Sequence, residues 1–232
     1  MENNNKRISL STAALIAGFA ILGSVATAPF AELYVYPKIV VPDNGGETAK
    51  NILAHKLLFT SAIFAYFITF LLDVVIAWAL YVFLKPVNES LSLLTAWFRL
   101  AYAIIAVVAL NNLVTALRLL TTADYAAFFS QDQLNAQVMI YVRAFRNHWY
   151  FGILFFGIHL LFLGYLVFCS GYVPKILGII LIITGLGYLL TTVRPYLFPD
   201  FNVDFAQFTF YGELIFMVWL LIRGSKVNHP IS

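Results

Sequence analysis

Charge is scarce in this sequence. Only 11% of its 232 residues are Asp, Glu, Lys or Arg, while 62% are hydrophobic. Soluble domains carry about a quarter charged and about half apolar residues. With a mean hydropathy of +0.86, the apolar excess is too large for a water-soluble core, so the chain is expected to use lipid as its solvent. Cysteine is nearly absent. Cys169 stands alone, which excludes an internal disulfide and a cysteine-based metal site and leaves the redox compartment unread. No basic run exists: Lys and Arg are scattered singly and the net charge is only +3, so nothing points to nucleic acid as a partner. No G-x-S-x-G elbow occurs, and none of His55, His148, His159 and His229 forms the i, i+4 pair that puts two metal ligands on one helix face. No metal and no cofactor is therefore implied.

What is present is a series of long apolar runs. A helix needs about 20 apolar residues to cross roughly 30 Å of hydrocarbon. Six runs meet that length, at about 8–30, 51–84, 89–120, 149–168, 174–193 and 205–222. The expected fold class is all-α: a polytopic membrane protein of six transmembrane helices in one domain, 1–232, plus a short amphipathic helix at about 130–147. The first run ends in Ala26-Thr27-Ala28, like a leader cleavage site, but its length and Pro29 favour a retained span. Lys85-Pro86 stops the second run and Asn88 is a candidate N-cap for the third. Ser130 and Gln133 have capping-box spacing. After them Leu134, Val138, Tyr141, Val142 and Phe145 recur at helical spacing, as a surface helix or as an extension of span four.

Gly157 and Gly164 are seven apart in span four, as are Gly178 and Gly185 in span five. Such spacing keeps one helix face bare, so these spans are expected to form a close antiparallel hairpin. An even span count returns the chain to its starting side. Basic residues are denser in the short segments on the N-terminal side, which by the positive-inside rule puts both termini in the cytoplasm.

Several segments together resemble a known family. They are Leu84-Lys85-Pro86-Val87, then Trp97-Phe98-Arg99-Leu100, then Phe156-Gly157-Ile158-His159-Leu160-Leu161 with Gly164-Tyr165-Leu166. Leu177-Gly178, Gly185-Leu186-Gly187-Tyr188, Gly212-Glu213 and Trp219-Leu220-Leu221 follow in order. The set resembles the bacterial membrane family catalogued as domain-of-unknown-function family 4386. The resemblance implies a multi-span architecture in a bacterial cell membrane. It brings no established activity and no catalytic residue.

Four ionisable residues lie near the middle of the apolar runs: Asp73, Arg99, His159 and Glu213. Such groups are costly in lipid and usually face the bundle interior or a cavity. At about 1.5 Å per residue, each lies roughly 15 Å from the same face, so four spans are expected to share one polar layer. Tyr66, Thr69, Asp73 and Ala77 fall on one side of span two, and Ser92, Thr95, Arg99, Tyr102 and Ala103 on one side of span three. Arg99 needs an anion, with Asp73 across the hairpin as first choice and Glu213 as second.

Three functions stay open on this reading. The layer binds or transports a small molecule, lipid or proton; or it only specifies packing in a structural or accessory membrane protein; or it serves an intramembrane acid–base enzyme. Beyond the lipid bilayer no partner is named by the sequence, and oligomeric state is not readable from it.

Overall fold

The computed structural model describes residues 8–203 and 211–227. Among them all regular structure is helical. In chain order the elements are α1 (Leu10–Pro29), a π-helical segment (Phe30–Val35), α2 (Tyr36–Ile39), α3 (Gly45–Ala54), α4 (Lys56–Leu84), α5 (Glu89–Thr121), α6 (Ala123–Phe128), α7 (Gln131–Cys169), α8 (Lys175–Leu197), α9 (Gly212–Arg223) and a closing 3-10 turn (Gly224–Lys226). Five stretches are long and apolar enough to cross a membrane: Leu10–Ile39, Lys56–Leu84, Glu89–Thr121, Gln131–Cys169 and Lys175–Leu197. Large apolar side chains such as Leu57, Phe19, Phe64 and Val108 are exposed on them, as expected where the solvent is acyl chain. The sixth expected span, 205–222, lies partly outside the described residues; its described part is the 12-residue α9.

Three boundaries differ from the sequence reading, each for a local reason. The first helical run continues past Pro29 to Ile39 through the π-helical segment, because no glycine or second proline interrupts it before Pro37. The second run is split at His55, a non-helical residue (φ −120°, ψ 38°) that caps α3 and precedes α4. The amphipathic segment is not separate: it is the start of α7, a single helix of 39 residues. Asn147-His148 supplies no breaker, so the polar and apolar halves share one axis, about 58 Å long at the usual rise. The capping box that starts it is made, with Gln133 Oε1 accepting from Ser130 N at 2.9 Å and Ser130 Oγ from Gln133 N at 3.4 Å.

The chain packs as two compact units. The first gathers the described residues of Met1–Leu22, Leu72–Tyr102 and Ile153–Ser232. Its α4–α5 turn is tight: Asn88 Oδ1 accepts from Leu91 N at 2.9 Å, and Ser92 Oγ donates to the Tyr81 carbonyl at 3.0 Å. The α7–α8 hairpin turns at Gly171, whose φ of +72° disfavours a side chain. Its helices then meet backbone to backbone. A Cβ on Gly164 would stand 2.6 Å from the Gly178 carbonyl, and one on Gly178 the same distance from the Gly164 carbonyl. Gly157 and Gly185 repeat the arrangement two turns away. Tyr172, next to the turn, donates to the Phe83 carbonyl at 2.6 Å and ties the hairpin to α4. At the far end of the chain, Gly224 abuts Ala14 of α1.

The second unit comprises Gly23–Leu71 and Ala103–Gly152. Here Asn44 caps α3 by accepting from Glu47 N at 2.9 Å, and Thr48 exchanges two hydrogen bonds with the Val41 backbone. Gly45 lies against the Asn135 carbonyl of α7, where a Cβ would stand at 2.5 Å. Thr27 and Thr69 join α1 to α4 through a 2.7 Å hydroxyl–hydroxyl bond.

Candidate functional site

Asp73, Arg99, His159 and Glu213 fall in the first unit, and all four meet. Helices α4 and α5 turn their polar stripes inward: Asp73, Thr95, Arg99 and Ser92 are buried, as are Tyr102, Ala77 and Ala103. Arg99 is the centre. Its Nε and one terminal nitrogen both donate to Asp73 Oδ1, at 2.9 and 2.6 Å. The other terminal nitrogen donates to Glu213 Oε1 at 2.5 Å and lies 3.2 Å from His159 Nε2. The guanidinium face is covered by the Phe156 ring, 5.2 Å away, a favourable cation–π placement. The carboxylate that a single-partner reading of Arg99 ranks second is thus engaged together with the first.

The hydrogen bonds assign the histidine tautomer. His159 Nδ1 lies 2.9 Å from the Thr95 carbonyl, which only accepts, so Nδ1 carries the hydrogen. Nε2 is then the acceptor for Arg99, and the imidazole is neutral. His159 is fully enclosed. Its Nε2 accepts from the same terminal nitrogen of Arg99 that donates to Glu213.

Charge does not balance in this cluster. One guanidinium faces two carboxyl groups while the histidine contributes none, leaving one negative charge in excess if both acids ionise. The two acids are not equivalent. Asp73's side chain is 5% exposed and receives two hydrogen bonds from Arg99, whereas Glu213's is 18% exposed and receives one.

The second unit holds a cluster whose charged members lie outside the six apolar runs. Glu32, in the π-helical segment, accepts from Tyr66 at one oxygen and from Arg146 at the other, both at 2.5 Å. Arg146 lies over Tyr36 at 4.2 Å and within 5.8 Å of the Trp149 and Tyr150 rings. The available signal was Tyr66 on the polar stripe of span two; Glu32 and Arg146 sit near the ends of apolar runs, where charge is ordinary. Among the described residues no three His, Cys, Asp or Glu side chains group to hold a metal ion. His148 instead contacts Asn112 at 3.2 Å.

Comparison with known sequences fits this architecture. The model of the family described as "Domain of unknown function (DUF4386)" matches residues 16–224. The chain belongs to this family. The match spans every helix of the DUF4386 chain that contributes to the Arg99 cluster. An uncharacterized protein of Archaeoglobus fulgidus is 36% identical over 166 residues, covering 72% of this chain and 85% of the relative. No solved structure matches. The protein is accordingly a membrane protein of a family without an established activity.

Proposed function

We propose that the Arg99 cluster is a buried proton-binding site, in which the paired carboxyl groups Asp73 and Glu213 share one exchangeable proton. The observation that carries this reading is the charge count: two carboxyl groups share one guanidinium beside a neutral imidazole. In low dielectric an uncompensated carboxylate is costly, and the simplest relief is to hold a proton. Asp73 is the more enclosed and the doubly bonded acid. Glu213 is the more exposed and receives one hydrogen bond from Arg99. A proton taken up by the pair breaks no covalent bond and requires no metal or cofactor.

The test is infrared difference spectroscopy of the purified protein during a pH titration. The expected result is a protonated-carboxyl band that titrates, shifts in either Asp73→Asn or Glu213→Gln and vanishes in the double variant. A protein with no titrating carboxyl band, or one whose band survives the double change, overturns the reading.

A second reading is a structural lock. It draws on the enclosure of Asp73 and Arg99, because a buried pair fixes helix register whether or not it binds anything. An intramembrane acid–base enzyme draws less support, since the one basic nitrogen of His159 is already taken by Arg99.

The proposal includes a topology. The apolar α9, ending at Arg223, supports a sixth crossing over 205–222, with the whole chain acting as one domain in the cell membrane and both termini in the cytoplasm. In a Cys169→Ser background, Ser9→Cys and Lys226→Cys are expected to label from the cytoplasmic side only. Labelling from opposite sides requires an odd number of crossings.

A further inference from the structure

A cavity of about 490 Å³ opens in the second unit between the α2 region and the first half of α7. Pro37, Val40, Met139 and Val142 give it apolar walls. Arg143 and Arg146, three residues apart and so on one helix face, put two guanidiniums at its edge. Each has an acidic partner and donors to spare. A guanidinium offers five N–H groups; among the described residues Arg146 gives one to Glu32, and Arg143 gives one to Asp43. The two pairs differ in tenacity. Arg146 is half-enclosed and clamped against the Tyr36 ring, whereas the Arg143 and Asp43 side chains are 58% and 87% exposed. An exposed pair is weak, and a freed Asp43 would be resolvated readily.

The position along α7 matters. Residues 131–147 carry the polar side chains, and the apolar run begins at Trp149 and Tyr150. Trp and Tyr mark the headgroup level of a bilayer. Arg143 and Arg146 therefore stand where lipid phosphates are, beside a cavity with apolar walls for a chain.

We propose that this cavity seats the phosphodiester headgroup of a membrane glycerophospholipid. The phosphate displaces Asp43 from Arg143 and accepts from both guanidiniums, a fork geometry suited to phosphate. The acyl chain runs along Pro37 and Val40. Basic pockets at the edge of transmembrane helices hold lipid headgroups by this chemistry.

The test uses the full chain in detergent and native mass spectrometry with phosphatidylglycerol, diacylglycerol and inorganic phosphate as probes. One phosphatidylglycerol per chain is expected to be retained, diacylglycerol is expected to be lost, and inorganic phosphate is expected not to displace the lipid. Arg143→Gln should weaken retention about tenfold, the worth of a charge-assisted hydrogen bond. Asp43→Asn should strengthen it by about threefold, because it removes the competing carboxylate. Both residues are exposed, so neither change threatens folding. Equal retention of diacylglycerol, or no effect of Arg143→Gln, overturns the site. A tighter grip lost in Asp43→Asn overturns the displacement step. Displacement by inorganic phosphate overturns the lipid as source and points to a soluble phosphate compound.

Discussion

Arg99 and Arg146 are both held by carboxylates inside helical units, and they are held in different company. Arg99 is almost completely enclosed and faces Asp73 and Glu213 with a neutral His159. Arg146 is about a quarter exposed and faces Glu32, whose second oxygen is taken by the Tyr66 hydroxyl. The Arg146 cluster closes at zero charge: one cation, one anion and a neutral donor. The Arg99 cluster closes at minus one when both acids ionise. A balanced cluster has one stable protonation state and can act as a pin for helix register. An unbalanced one has a reason to bind a positive species. The same residue type thus supports opposite readings, and the surrounding count decides between them.

The comparison can be broken most severely at Arg99. Arg99→Gln strands two acids in a largely enclosed site, and loss of one side of a buried pair costs about 3–5 kcal/mol. Thermal unfolding in detergent should show the largest loss of any single change in the cluster, with partial recovery when Asp73→Asn is added. A double-mutant cycle with no coupling between them would dissolve the pair as an energetic unit. At the balanced cluster, Glu32→Gln leaves Arg146 without its anion but partly wetted. A loss of about 1–3 kcal/mol is expected, and a loss as large as that of Arg99→Gln would erase the distinction in enclosure.

The α7–α8 hairpin gives a scale that is independent of charge. Gly164→Leu forces a side chain against the Gly178 carbonyl, and overpacking of this kind costs about 1–3 kcal/mol. Unchanged melting would mean that the hairpin opens without penalty. The smallest effect should belong to Glu213→Gln, which removes the surplus charge and keeps a polar group beside Arg99. Stability within about 1 kcal/mol of the parent is expected, in contrast to Glu32→Gln. If Glu213→Gln destabilises more than Glu32→Gln, the surplus charge is not a burden to the fold and the proton-binding argument loses its basis.

The legibility of these features in the sequence was uneven, for physical reasons. Asp73, Arg99, His159 and Glu213 stood out because an ionisable group in the middle of an apolar run has few innocent explanations. Inward stripes were readable because a helix repeats every 3.6 residues, and the glycine heptads because small residues permit close approach. Glu32 was hidden. It sits in the π-helical segment, where the turn is wider than the sequence period assumes, and Arg146 is 114 residues away from it. The break at His55 was hidden too, since neither glycine nor proline marks it. The continuity of α7 could be read only as one of two options, because amphipathic periodicity is the same for a surface helix and for an extended span.

The short α4–α5 turn has a consequence for how the chain is made. Asp73 and Arg99 are 26 residues apart on consecutive helices, whereas Glu213 follows Arg99 by 114. At about 5–20 residues per second, Glu213 is synthesised some 6–23 seconds later. Each charge alone costs about 2.5–3.5 kcal/mol to insert at the centre of a membrane helix. A hairpin that emerges with its acid and its base together can enter the bilayer as a neutral pair. The second carboxyl group arrives later, on α9, after Arg99 and His159 have been made.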